Sequence, residues 1–116
     1  MSILINGENT KKIKLKRGEA KLLQFNYSED ISEATFNLVI QDGSKVTVIQ
    51  KVNTDFDRSR ISEDIIFVYL TSEDLLLPVS TYSVELRAIW NTENDIDLTE
   101  TMLLKLSESL HYPEES

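Results

Sequence analysis

The chain has 116 residues, 41% of them hydrophobic, and carries twenty acidic groups against twelve Lys and Arg for a net charge of −8. That length suits one domain with a core that needs no staples, and the absence of Cys excludes disulfides, zinc thiolates and thiol nucleophiles. The acidic balance argues against nucleic acid and anionic membranes, and no apolar run reaches the roughly 20 residues of a membrane-spanning helix.

Met1 to Asn6 lacks a basic n-region and a long apolar stretch, so it does not read as a signal peptide. Ile3-Leu4-Ile5 is a short strand or arm, within an N-terminal segment 1–10 that turns at Asn6-Gly7. Lys12 to Leu15 alternates with Ile13 and Leu15 inward, and Arg17-Gly18 turns the chain. A second alternating strand covers Ala20 to Tyr27, with Leu23, Phe25 and Tyr27 on one face. Ser28 to Glu33 is a polar connection with one apolar anchor, Ile31. Thr35 to Gln41 then places Phe36, Leu38 and Ile40 inward, and Asp42-Gly43 is a hairpin signal leading into Lys45 to Val52. Thr54 to Asp64 is polar and reads as a loop.

Ile65 to Leu70 is a continuous apolar run, which suits a strand covered on both faces. Thr71 followed by Asp74 fits the start of a helical turn near 72–76, and Pro78 stops it. Tyr82, Val84, Leu86, Ala88 and Trp90 alternate with Ser83, Glu85 and Arg87, the pattern of a half-buried strand. After a turn at Asn91 to Asp95, a last strand runs from Ile96 to Leu106 with Met102, Leu104 and Leu106 on one face. Residues 107–116 form a polar tail containing Pro113. These elements predict an all-β protein: an antiparallel Ig-like β-sandwich of seven or eight strands, one domain over residues 1–106.

The residues give little catalytic chemistry. The single histidine, His111, lies in the polar tail, where no rigid frame would orient it as a base. The acidic pairs Glu29-Asp30, Glu63-Asp64 and Glu73-Asp74 flank turns, and turn or cap roles explain them. Asp55-Phe56-Asp57-Arg58-Ser59 opens like a calcium loop, but Arg60 stands where an EF-hand needs Gly and Ile66 where it needs Glu. Asn91, Glu93, Asp95 and Asp97 alternate oxygen-bearing side chains and could form a weak calcium loop of another kind. Tyr27, Tyr69, Tyr82 and Trp90 could form an aromatic platform for a sugar, although their phase favours the core. Lys11, Lys12, Lys14, Lys16 and Arg17 concentrate basic charge in seven positions. Such a strip either guards a strand edge or docks on an acidic neighbour.

Several segments together resemble the β-sandwich modules of phage baseplates and tails. Arg17-Gly18-Glu19 before an alternating strand is similar to their opening, and Asp30-Ile31-Ser32-Glu33-Ala34-Thr35-Phe36 to their entry into the next strand. Leu70-Thr71-Ser72-Glu73-Asp74, then Leu76 or Leu77, then Tyr82-Ser83-Val84-Glu85-Leu86 resembles a third segment, with Ser80 where the family has Gly. Leu98 to Leu106 resembles their closing strand. The resemblance runs over about residues 13 to 106 and names the N-terminal domain of baseplate upper proteins.

It implies a non-enzymatic assembly module, in the virion or in the bacterial cytoplasm before assembly. Its partners would be other virion subunits, including further copies of itself, and it implies no cofactor. The alternative is a small Ig-like carbohydrate-binding or adhesion module. The contact residues expected from charge are Lys11, Lys12, Lys14, Lys16, Arg17, Glu93, Asp95 and Asp97. No catalytic, cofactor-binding or metal-binding residue is assigned.

Overall fold

A computed structural model describes residues 3–5, 12–90 and 97–108. They form β1 (Ile3–Ile5), β2 (Lys12–Lys16), β3 (Lys21–Tyr27), β4 (Ala34–Gln41), β5 (Thr47–Lys51), β6 (Phe56–Asp57), β7 (Ile65–Leu70), β8 (Ser80–Trp90) and β9 (Asp97–Ser107). One sheet has the order β1-β3-β7-β6 and the other β2-β9-β8-β4-β5. The two pack as an Ig-like sandwich, as expected from the strand alternation. The inward rows Leu23/Phe25, Phe36/Leu38/Ile40, Ile66/Val68/Leu70, Val84/Leu86/Ala88 and Met102/Leu104/Leu106 make one continuous core. Ile31, the anchor of the polar 28–33 connection, is fully buried in it.

The structure departs from the sequence-based expectation in four places. First, β2 runs parallel to β9, placing Ile13 beside Leu104 and Leu15 beside Leu106. Alternation fixes which face a strand buries but not the direction of its neighbour. Second, the 54–64 stretch contains two 3₁₀ turns, Asn53–Asp55 and Ile61–Glu63, around β6. Phe56 within it is buried. Third, β7 is not covered on both faces. Its Tyr69 pairs with Leu22 of β3, and both are 51% exposed on the outer side.

The helical turn expected near 72–76 is present, with the Leu75 N–H donating to the carbonyls of Thr71 and Ser72 and the Leu76 N–H to that of Glu73. Its capping box forms as the sequence suggests. Thr71 N–H donates to Asp74 Oδ2 at 2.9 Å, and Asp74 N–H to Thr71 Oγ1 at 3.0 Å. Fourth, the left-handed residue of the β4–β5 hairpin is Lys45, with φ 65°, and not Gly43. Asp42 Oδ1 accepts the Ser44 and Val46 N–H groups at 2.8 and 3.0 Å, so the aspartate shapes this turn. Gly18 does need its glycine: its φ is 79° while its N–H reaches the Leu75 carbonyl at 2.9 Å.

Two side chains fasten the sheets beyond the core. Asn53 Oδ1 accepts the Phe36 N–H at 3.0 Å, extending the β4 ladder past the end of β5. The Arg58 guanidinium donates to the carbonyls of Ala34 (2.7 Å) and Ser32 (3.2 Å) and lies 5.6 Å from the Phe36 ring centre. Arg58 thereby ties the 28–33 connection to the segment that follows β6.

Candidate functional site

Alternation places Lys12, Lys14 and Lys16 on the outer face of β2, all exposed, while Ile13 and Leu15 face the core. β2 is an edge strand, so the lysines sit where edge pairing would otherwise begin. The parallel register adds a residue that the sequence reading missed. Lys14 stands directly opposite Lys105 of β9, and Lys12 stands opposite Leu103, which is 44% exposed. The result is a patch of four lysines with one exposed leucine at its side. The outward phase of Lys105 follows from Met102, Leu104 and Leu106 facing inward. Its neighbour Lys14 could not be found without the β2–β9 pairing.

Like charges directly opposite one another across a sheet are unfavourable. Among the described residues, Lys14, Lys16 and Lys105 have no carboxylate in an ion pair. Glu19 and Glu108 flank the patch at its upper rim, and Glu19 Oε1 accepts the Lys16 backbone N–H at 2.9 Å. On the same face Glu85 lies opposite Thr101, four positions along β9 from Lys105. That is roughly 13 Å, beyond the ~8 Å Debye length of physiological salt. The patch is therefore locally positive within a negative chain.

Arg17 does not extend the patch. Its Nε donates to the Leu77 carbonyl at 3.0 Å, which ties β2 to the connection before β8. Lys11, Glu93 and Asp95 lie outside the described residues. Asp97 is the first residue of β9, opposite Ile89. The structure thus brings Lys12, Lys14 and Lys16 together, adds Lys105, and assigns Arg17 to the frame.

Below the patch, the same sheet face carries two shallow hollows of about 300 and 280 Å³ that share Val39 and Glu85. Gln41, Ser83 and Thr101 line one, and Asn37, Gln50 and Arg87 the other. The face is thus amide- and hydroxyl-rich, with lysines along one margin.

The remaining candidates are structural. Tyr82 is buried, with its hydroxyl donating to the Pro78 carbonyl at 2.6 Å. Trp90 is buried, with Nε1 donating to the Asp30 carbonyl at 3.0 Å. Tyr27 is buried too, leaving Tyr69 alone on the other sheet, so no aromatic platform forms. Burial pushes the Tyr27 hydroxyl pKa well up, and the charges of Glu100 and Glu29 add to this. That hydroxyl has no hydrogen-bond partner. Glu100, 8% exposed, faces inward in the row of Leu86, a position that shares the parity of Met102 and Leu104.

The acidic pairs serve turns. Asp30 and Asp57 accept N–H donors from Ser32 and Ser59, which hold both carboxyls below the ordinary range. Asp64 Oδ1 accepts the Ile31 N–H at 3.3 Å. Asp74 accepts from Thr71 and pairs with Lys51 at 2.8 Å. Among the described residues no three of His, Cys, Asp and Glu gather where a metal ion could sit. His111 and the alternating acids before Asp97 lie outside those residues.

No protein-family model matches the chain, and no curated protein sequence does. Among solved structures, the chain is similar to CopC from Methylosinus trichosporium OB3b. The TM-score is 0.58 at 12% identity, over 85% of this chain and 86% of that one. The likeness establishes the fold. It is a likeness to CopC and not to a phage protein, so it overturns the reading of this chain as a phage baseplate or tail module. The physical reason is plain. The motifs behind that reading are strand alternation, one capping box and turn residues, which a sandwich of this size needs whatever its role.

Proposed function

We propose that this protein is a non-catalytic recognition module that binds an acidic partner protein through the outer face of its five-stranded sheet. The carrying observation is the lysine patch, with Lys14 set directly against Lys105 on an exposed face of a chain whose net charge is −8. Such an arrangement is unfavourable in the isolated sheet and becomes favourable when carboxylates lie across it. The exposed Leu103 adds apolar surface beside Lys12 and Lys105, so the contact surface combines charge with one apolar side chain. The long-range repulsion expected from the net charge is screened, because β8 alone, 11 residues, spans ~36 Å against a Debye length of ~8 Å.

The test is titration of the protein into a labelled decapeptide of alternating Glu and Leu, followed by fluorescence anisotropy. Saturable binding is expected in low salt. It should weaken roughly tenfold when Lys14, Lys16 and Lys105 are replaced together by Gln, as it should when salt is raised. No binding by the unaltered protein, or equal binding by the triple variant, would overturn the reading.

A further inference from the structure

We infer that the acidic partner is a second copy of this chain, docked head to tail, with its far end against the lysine patch. This rests on the reading above, that the patch takes carboxylates. β8 connects the two surfaces. Its first residues lie beside the patch, Ser80 opposite Leu106 and Thr81 opposite Lys105. Its last, Trp90, donates to the Asp30 carbonyl at the other end of the sandwich. That other end carries the 28–33 connection and β6 with the segment after it, where Asp30, Glu33 and Asp57 are exposed and Glu29 is half-buried.

The two arginines at that end offset these charges only in part: Arg60 is taken up by Glu63 at 2.9 Å, and the single charge of Arg58, engaged by the Ala34 and Ser32 carbonyls, is outnumbered by the four carboxylates. The Arg58 clamp also makes the acidic end rigid, because it joins the two segments that carry the carboxylates. Asx turns with Ser32 and Ser59 hold Asp30 and Asp57 in place. A rigid acidic surface loses little conformational freedom on docking.

Charge also restricts the symmetry. Two lysine patches repel each other, as do two acidic ends, so a two-fold contact through either surface is disfavoured. In the head-to-tail arrangement the contact is heterologous and leaves one free surface of each kind, so assembly continues into a ring or an open row.

Sedimentation velocity over a range of protein concentration, at low and high salt, tests this with two neutralising variants. One replaces Lys14, Lys16 and Lys105 by Gln. The other is Glu29→Gln, Asp30→Asn, Glu33→Gln, in which the amide oxygen introduced by Asp30→Asn can still accept the Ser32 N–H. The unaltered chain should associate at low salt and dissociate at high salt. Each variant alone should associate about tenfold more weakly, with an unchanged circular dichroism spectrum. An equimolar mixture of the two should stop at a dimer, since it offers one intact patch to one intact end. A monomer at every concentration and salt, or variants that associate like the parent, would overturn the inference. If the Glu–Leu decapeptide still binds in that case, the acidic-partner reading survives and only the self-docking fails. If the peptide does not bind either, both fail.

Discussion

The five-stranded sheet ends in β2 on one side and β5 on the other, and both edges carry lysine to opposite effect. On β2, Lys12, Lys14 and Lys16 occupy the outward phase and are exposed. On β5, Lys51 sits opposite Leu38, in the inward phase, and reaches Asp74 of the turn that follows β7. One edge is left as a charged surface; the other is tied to the opposite sheet. The residue type is the same, and the parity of its position decides which it becomes. An edge can thus be protected from pairing either by charge in solvent or by a charge turned inward and bound.

The fastened side is where breakage should cost most. Arg58→Ala removes the donors for the Ala34 and Ser32 carbonyls and the contact with Phe36. Urea unfolding should show a loss of about 2–3 kcal/mol. A change below about 0.5 kcal/mol would mean that water replaces the clamp.

Asp74→Ala removes both the capping box and the Lys51 pair, and should cost about 1–2 kcal/mol at neutral pH. This effect carries its own pH signature. Burial acts to raise the Asp74 pKa, but the hydrogen bonds from Lys51 and Thr71 and the charge of Lys51 hold it below the ordinary value. A depressed folded-state pKa adds stability above the unfolded-state value, near 4, and loses it as the pH falls through the folded value. The gap between parent and variant should be constant above about pH 5 and close below about pH 4. A gap that persists at lower pH would assign the loss to packing.

The open edge should respond least. Lys14→Thr relieves the opposition to Lys105 and keeps strand propensity, so a gain of a few tenths of a kcal/mol is expected. Lys51→Thr, the matching change on the other edge, should cost stability instead, about 1 kcal/mol. Equal signs for the two would dissolve the contrast between the edges.

Much of this architecture is visible in the residues because a period of two is a strong signal when one face is buried. Phe36, Leu38 and Ile40 on β4 and Val84, Leu86 and Ala88 on β8 all fall inward as their alternation requires. Phe56 was hidden because its strand is two residues long, too short to alternate, and sits among Asp, Arg and Ser. Lys45 was hidden behind Gly43, since turn chemistry names the residues able to take a left-handed conformation and not the one that does. The surface was legible in halves. The Lys12, Lys14 and Lys16 phase could be read from one strand, whereas the Lys14–Lys105 opposition depends on which strand lies beside it. The phage resemblance failed for a related reason, because each of its motifs reports a local turn or strand.

The parallel pairing of β2 with β9 has a temporal side. Each residue of β2 meets a partner about ninety positions later in the chain, which at ~5–20 residues per second emerges from the ribosome roughly 5–20 s afterwards. During that interval Ile13 and Leu15 have no row to join, and the three lysines that alternate with them keep the unpaired strand soluble on the growing polypeptide. Completion of the larger sheet is thereby deferred until its last strand is made.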